Sequence, residues 1–369
     1  MTNVIVYGDS VRVPELRREL PLAVPDPFLY VETDGGRHVL VGSMEMPRIE
    51  SAAHDVECHP LEEFGYDELV AAGGTKDGIR DETALRALRA LGVRAATVPF
   101  SFPLGLADRL RADGVELRVD QELFDERRRV KTEAQLAGIR RAQRAAEAGM
   151  DAARALLRAA SGSLTVEQVK AAIAQAFAEH GATAEDFIVS HGPQSAIGHH
   201  MGAGEIRRGE PVVIDLWPRD GETACYADMT RTYCVGEPPP ELREWHALVK
   251  QSLDRSFAEL RAGVETRAVY DASCEVFEAA GHPTKRTKPP GEPLADGYFH
   301  SLGHGVGLEV HEEPGMGMTS SKPLVAGDVV TLEPGLYRRD TGGVRLEDLV
   351  LVTADGAENL TRYPYDLEP

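Results

Sequence analysis

The order helix, helix, histidine, acid, acid occurs twice between residues 126 and 369, and this duplication restricts the fold more than any other feature of the chain. In the first copy, apolar residues at Leu136, Ile139, Ala142, Ala146, Met150, Ala153 and Leu157 keep a three-to-four spacing behind Thr132, a natural N-cap. A break at Ser161-Gly162 precedes a second helix that starts at Leu164 or Thr165 and carries Val169, Ile173, Ala176 and Phe177 on one face. His191 and Gly198-His199-His200 follow, then the apolar strand Pro211 to Trp217 with Asp215, then an alternating stretch from Cys225 to Val235 with Asp228. Three prolines, 238 to 240, are expected to close this copy. The second copy has helices over Leu242 to Leu260 and Ala268 to Ala280, the histidines His300, His304 and His311, and apolar runs carrying Glu333 and Glu347. Gly209-Glu-Pro-Val-Val-Ile-Asp215 aligns with Gly327-Asp-Val-Val-Thr-Leu-Glu333, and the second acid follows 13 or 14 residues later.

Two such halves can bury their sheets against one another about a pseudo-twofold axis, which would bring four carboxylates from equivalent positions together. Burying that much negative charge is costly, and mutual repulsion would protonate several of the acids unless a cation compensates them. The ligand set Asp215, Asp228, His304, Glu333 and Glu347 is hard and rich in oxygen. It suits one or two divalent ions, Mn²⁺ or Co²⁺, with Zn²⁺ and Fe²⁺ as alternatives. Taken singly, each piece has a plainer reading. An acid that ends a strand before a turn is common, and Gly303-His304-Gly305 is an acceptable tight turn. The joint pattern, repeated in order, is what favours a metal.

Residues 1–125 read as a smaller α/β unit. Its strands are expected at Val4 to Tyr7, at Phe28 to Thr33 turning through Asp34-Gly-Gly into His38 to Val41, at Ala96 to Phe100 and at Glu116 to Val119. Helices are expected over Thr83 to Leu91 and Pro103 to Arg111, and a charged segment, Asp125 to Lys131, leads into the second unit, residues 126–369. His38, His54 and His59 are isolated in sequence and are read as ordinary surface or core residues. The formal charge of −20 argues against nucleic-acid and anionic-membrane partners. Four scattered cysteines without a CxxC pair read as reduced thiols. With no run of eighteen apolar residues and no basic, apolar start, the expected location is cytoplasmic.

The segments Val213-Ile-Asp215, Ala227-Asp228-Met-Thr-Arg-Thr, His304-Gly-Val-Gly-Leu-Glu-Val-His311, Thr331-Leu-Glu333-Pro-Gly and Val344-Arg-Leu-Glu347-Asp resemble the signature of the M24 metallopeptidases, in the Xaa-Pro branch of prolidase and aminopeptidase P. The resemblance implies an α+β architecture: a pita-bread catalytic domain of the creatinase and aminopeptidase type, with a creatinase-type N-terminal domain before it. It also implies a homodimer and a dinuclear site in which Asp228 and Glu347 bridge, Asp215 serves one ion, and His304 with Glu333 serves the other. Glu333 would move the proton, His311 would hydrogen-bond the scissile carbonyl and His199 would assist. His300 and Arg345 would contact the substrate or support the ligands. Glycine precedes His199 where the family has proline, and the loop from Asp215 to Asp228 is about two residues longer than usual. The arginine that some prolidases use for the substrate carboxylate is not evident, which leaves Lys322, Arg338 and Arg339 as substitutes.

The expected reaction is hydrolysis of an Xaa-Pro bond, first in dipeptides and alternatively in longer peptides, with a proline-containing di- or oligopeptide as the substrate. A methionine aminopeptidase is disfavoured by the additional N-terminal unit, and a metal-free creatinase by the full ligand set. A non-catalytic binding module on the same fold would be expected to have lost ligands.

Overall fold

A computed structural model describes residues 3–160 and 162–369, so Ser161 of the expected helix break lies outside the described residues. The chain divides into two compact units, Met1–Arg128 and Arg129–Pro369. Residues 125–129 of the charged segment are the end of a helix, Gln121–Arg129. Arg127 grips Glu32 with both Nη atoms, at 2.8 and 2.9 Å, and Arg129 meets Asp328 at 2.7 Å with both side chains almost fully buried.

In the first unit a mixed six-stranded sheet runs, in spatial order, Val56–Pro60, Gly36–Val41, Phe28–Thr33, Val4–Gly8, Ala95–Val98 and Glu116–Val119. The hairpin anticipated around Asp34-Gly-Gly is present, with Thr33 opposite Gly36. The strand Val56–Pro60 was not expected from the sequence. It pairs in parallel with Gly36–Val41, because a parallel partner is chosen by a crossover rather than by a local turn. The helix expected from Thr83 begins earlier, at Lys76, where the Thr75 hydroxyl caps the Gly78 amide.

The second unit carries the repeat. Helices Glu133–Ala159 and Val166–Glu179 each open on a reciprocal capping box, Thr132 with Gln135 and Thr165 with Gln168, in which side chains satisfy amides that a helix start leaves free. They cover a three-stranded antiparallel sheet of Met229–Cys234, Pro211–Leu216 and Ile188–His191. Met150, Val169, Ile173 and Phe177 pack there on Val189, Val212, Ile214 and Met229. The second copy has helices Pro240–Glu259 and Thr266–Ala279 over a sheet that includes, in order, Gly303–Gly305, Val329–Leu332 and Asp348–Val352. Its core joins Trp245, Val249, Leu253, Tyr270 and Phe277 to Val330, Leu332 and Val350. Neighbouring strands are antiparallel in both copies, so the duplicated order is a duplicated topology and has the pita-bread arrangement.

Three expectations change in detail. Pro240 does not close the first copy; it is the first residue of the next helix, where a missing amide hydrogen costs nothing. The alternating stretch from Cys225 becomes a strand only at Met229. The apolar run around Glu347 is two strands: Gly342–Arg345 pairs with Gly335–Arg338, and Asp348–Val352 joins the sheet, leaving Glu347 in the step between them. Among the described residues no helix is long and apolar enough to cross a membrane.

The strand Met229–Cys234 of the first copy grips the segment Arg345–Asp348 of the second. Thr230 accepts the Glu347 amide at 3.0 Å, and Thr232 exchanges hydrogen bonds with the backbone of Arg345 at 2.8 and 3.0 Å. Arg231, fully buried, donates to the Glu347 carbonyl at 2.7 Å, to Asp348 at 3.0 Å and to the carbonyls of Tyr363 and Pro364. Replacing it by an apolar side chain leaves a buried carboxylate and several carbonyls without their donor. Arg231→Leu is therefore expected to lower stability by about 3–5 kcal/mol, read from urea unfolding followed by circular dichroism. A loss below about 1 kcal/mol would mean that this clamp does not hold the two halves.

Candidate metal centre

Backbone positions in the two sheets determine where the acids lie. Asp215 is the penultimate residue of Pro211–Leu216 and Glu333 directly follows Val329–Leu332; Asp228 directly precedes Met229–Cys234 and Glu347 directly precedes Asp348–Val352. The acids thus occupy matching strand ends in the two copies. His304 enters from Gly303–Gly305, a strand tight enough that a Cβ on Gly303 would lie 2.1 Å from the Thr331 carbonyl oxygen. The His304 amide donates to Thr331 Oγ1 at 3.2 Å, which ties the histidine strand to the strand leading into Glu333.

These placements bring the expected ligands together. Asp228, His304 and Glu347 each offer a ligand atom, all within 4.8 Å of one another. His304 Nε2 lies 3.5 Å from Glu333 Oε1 and 3.8 Å from Asp228 Oδ2. Such separations are long for direct hydrogen bonds and suit donors that share an ion about 2.1 Å away. His304 Nδ1 lies 3.2 Å from the Gly305 carbonyl, so this nitrogen carries the proton and the Nε2 lone pair faces the acids. Asp215 joins the group through Arg345, whose guanidinium contacts it at 2.5 Å, while Thr230 Oγ1 donates to Glu347 at 2.7 Å.

The electrostatics of this cluster call for a cation. Burial, followed by repulsion from neighbouring acids, raises the carboxyls of Asp228 and Glu347 well above their ordinary range. Burial also lifts Glu333 to about 8, against the opposing pull of Arg345. His304 falls to about 3, chiefly through burial and then through His311, whose ring stands 4.2 Å away; it is therefore neutral at working pH. Among the described residues, Asp215 Oδ1 and Asp228 Oδ1 are buried with no hydrogen-bond donor, and such an orphaned acceptor is normally costly. Arg345 is a single positive charge facing Asp215, Glu333 and Glu347. Hard oxygen donors, one imidazole lone pair and uncompensated negative charge together fit divalent cations.

The other expected residues surround this cluster. His311 and His199 stand exposed at its edge, and His311 is pushed below the ordinary histidine value by partial loss of hydration and then by His199. His300 is committed at both nitrogens, to Tyr337 Oη at 2.9 Å and to the Ser301 carbonyl at 2.8 Å, and burial with nearby Arg345 depresses it to about 3. Arg345 is only 5% exposed and spends its guanidinium on Asp215, Thr230 and Tyr337. Arg338 pairs with Glu241 at 2.6 Å and lies over the Trp245 ring, so its charge is engaged on the helix Pro240–Glu259. The long loop after Asp215 is pinned by Asp220, which accepts from Arg141 at 2.8 and 2.9 Å and from Thr223.

Two contributors carry no sequence signal of their own. Thr230 sits inside a motif conspicuous for its acid and arginine, and Tyr337 joins the site only through the pairing of Gly335–Arg338 with Gly342–Arg345. A third support is the buried ion pair of Lys131 with Glu312, the residue after His311; 181 positions separate the partners, too far for any local pattern to connect them.

Comparison with known proteins agrees with this geometry. The chain is 30% identical over 294 residues to an Xaa-Pro dipeptidase of Pyrococcus horikoshii, covering 77% of this chain and 76% of that protein. It is 35% identical over 205 residues to a Mycobacterium bovis protein named "Probable dipeptidase PepE", covering 55% and 51% respectively. The chain spans about half the length of several curated relatives that it matches. The crystal structure of the prolidase from Pyrococcus horikoshii superposes with a TM-score of 0.80 at 25% identity, covering 100% of this chain and 95% of that one. Divalent metal ions are implied by the family whose sequence pattern residues 137–354 match. That match contains all five clustered side chains, and the chain belongs to metallopeptidase family M24.

Proposed function

We propose that this protein is an Xaa-Pro dipeptidase, a prolidase that releases proline from the C-terminal side of a dipeptide. One observation carries the reading: Asp228 and Glu347, from different copies of the repeat, share a buried cluster with a neutral His304. The names of the Pyrococcus relatives support the substrate class. We further propose that the ions are a pair of Mn²⁺, held by Asp215, Asp228, His304, Glu333 and Glu347, and that the enzyme works as a cytoplasmic homodimer.

When bound, such ions polarise the scissile carbonyl and lower the pKa of the attacking water. The protein residues supply the rest. Glu333, at the end of its strand, takes a proton from that water and passes it to the departing proline nitrogen. This transfer is needed because the Xaa-Pro bond is a tertiary amide whose nitrogen must be protonated before it leaves. His311 and His199, exposed at the edge of the cluster, donate hydrogen bonds to the oxygen on which negative charge develops. Arg345 and Thr230 act one layer back: the first fixes the Asp215 carboxylate and the second fixes that of Glu347, so both remain aimed with little reorganisation.

Three outcomes test this reading. Chelator treatment should abolish hydrolysis of an Xaa-Pro dipeptide, and Mn²⁺ should restore it; a rate on the C-terminally extended tripeptide above that on the dipeptide would move the assignment to aminopeptidase P. Glu333→Gln should lower kcat by about 10²–10⁴-fold with a smaller effect on KM, measured by steady-state proline release. Thr230→Val should weaken metal affinity by about 10–100-fold, with Thr230→Ser restoring it and excess Mn²⁺ recovering much of the rate. An unchanged metal requirement in the valine variant would remove Thr230 from the site.

A further inference from the structure

We propose a second metal site in the N-terminal unit, in which His38, Glu57 and His59 bind one zinc-type divalent cation. His38 stands apart in sequence from Glu57 and His59, and strand pairing brings all three to one face of the sheet. Gly36–Val41 and Val56–Pro60 pair in parallel with His38 opposite Glu57 and Leu40 opposite His59. Glu57 and His59, two residues apart on one strand, therefore point the same way as His38.

The spacing of the donor atoms is that of a coordination polyhedron. His38 Nδ1 lies 3.2 Å from His59 Nε2 and 3.3 Å from Glu57 Oε2, and His59 Nε2 lies 3.8 Å from Glu57 Oε1. A tetrahedral ion with bonds near 2.05 Å has ligand-to-ligand edges of about 3.3–3.4 Å. One donor atom from each of the three residues lies within 4.8 Å of the others, so the two ring nitrogens and one Glu57 oxygen can take three corners and leave the fourth for water or an outside ligand.

The tautomer of His59 is set from behind. Its Nδ1 lies 3.1 Å from Glu63 Oε2, and since an ionised carboxylate only accepts, Nδ1 carries the hydrogen. The Nε2 lone pair is thereby turned toward His38 and Glu57. This carboxylate–histidine arrangement is the one that orients imidazole ligands in metal proteins. The two imidazole side chains are 11% and 12% exposed while the Glu57 side chain is 66% exposed, so the rings are held in place and an entry path exists past the carboxylate. The Phe64 ring, 5.8 Å from that of His59, closes one side. The two glutamates would neutralise a doubly charged ion. The competing occupant is a single proton donated from His38 Nδ1 to the same His59 Nε2 lone pair, and counting bound zinc separates the two.

The test uses the full-length protein, stripped by chelator, titrated with Zn²⁺ alone and freed of excess by gel filtration, with bound zinc counted by plasma mass spectrometry. Wild type should hold one zinc per chain more than His59→Gln. Glu57→Gln, a change at an exposed side chain, should show the same loss and stands in if the histidine variant does not fold. Glu63→Gln should retain the site with about tenfold weaker affinity. Equal zinc counts in wild type and both ligand variants would overturn the proposal. The readout is a difference in stoichiometry and does not depend on peptidase activity or on the ions at the cluster of the second unit.

Discussion

Negative charge gathered in a space without water is the constraint from which the second unit is best understood. Asp215, Asp228, Glu333 and Glu347 approach one another because two sheets that share three antiparallel strands in matching order place their strand ends together. Repulsion and lost hydration act against that approach, as the raised carboxyls of Asp228 and Glu347 express. Arg345 offsets part of this cost and the ions implied by the family offset the remainder. The Met229–Cys234 strand, gripping Arg345–Asp348 through Thr230, Arg231 and Thr232, holds the acids in place against their own repulsion. A fold that binds cations this way is expected to be tightest where the charges meet, and Arg231 is fully buried there.

The surrounding residues divide their work by depth. His304 is kept neutral by burial, with its proton directed at a backbone carbonyl, so its remaining lone pair is committed to the cluster. Arg345 and Thr230 lie behind Asp215 and Glu347 and fix their carboxylates, and Tyr337 accepts from Arg345. His199 and His311 stand at the exposed edge, where a substrate carbonyl would arrive. A short chain of contacts, His300 to Tyr337 to Arg345 to Asp215, links the edge of the site to its buried acids. The same logic recurs in miniature in the N-terminal unit, where Glu63 turns a His59 lone pair toward His38 and Glu57.

Chemical identity was readable along the chain. The repeated helix, helix, histidine, acid, acid order, the glycines around His304 and the capping threonine Thr132 all express local rules, and each of the helices they announce is present. Their boundaries were less legible. The run from Val344 to Val352 is apolar throughout, so periodicity could not reveal that it leaves one hairpin and joins another sheet at Glu347. Pro240 could equally end a unit or start a helix, and the Trp245 face that packs on the second sheet decided the matter.

What the sequence by itself determined was the set of donor types and the duplicated framework that could present them, because both depend on residues close together in the chain. The tertiary structure alone decided which side chains stand behind those donors, as with Arg345 on Asp215 and Lys131 on Glu312, and that His38 meets His59. The reason is physical: strand pairing and side-chain packing bring together residues from about twenty to 181 positions apart, and strand register is set by packing over whole sheets. No local pattern in the chain records that register.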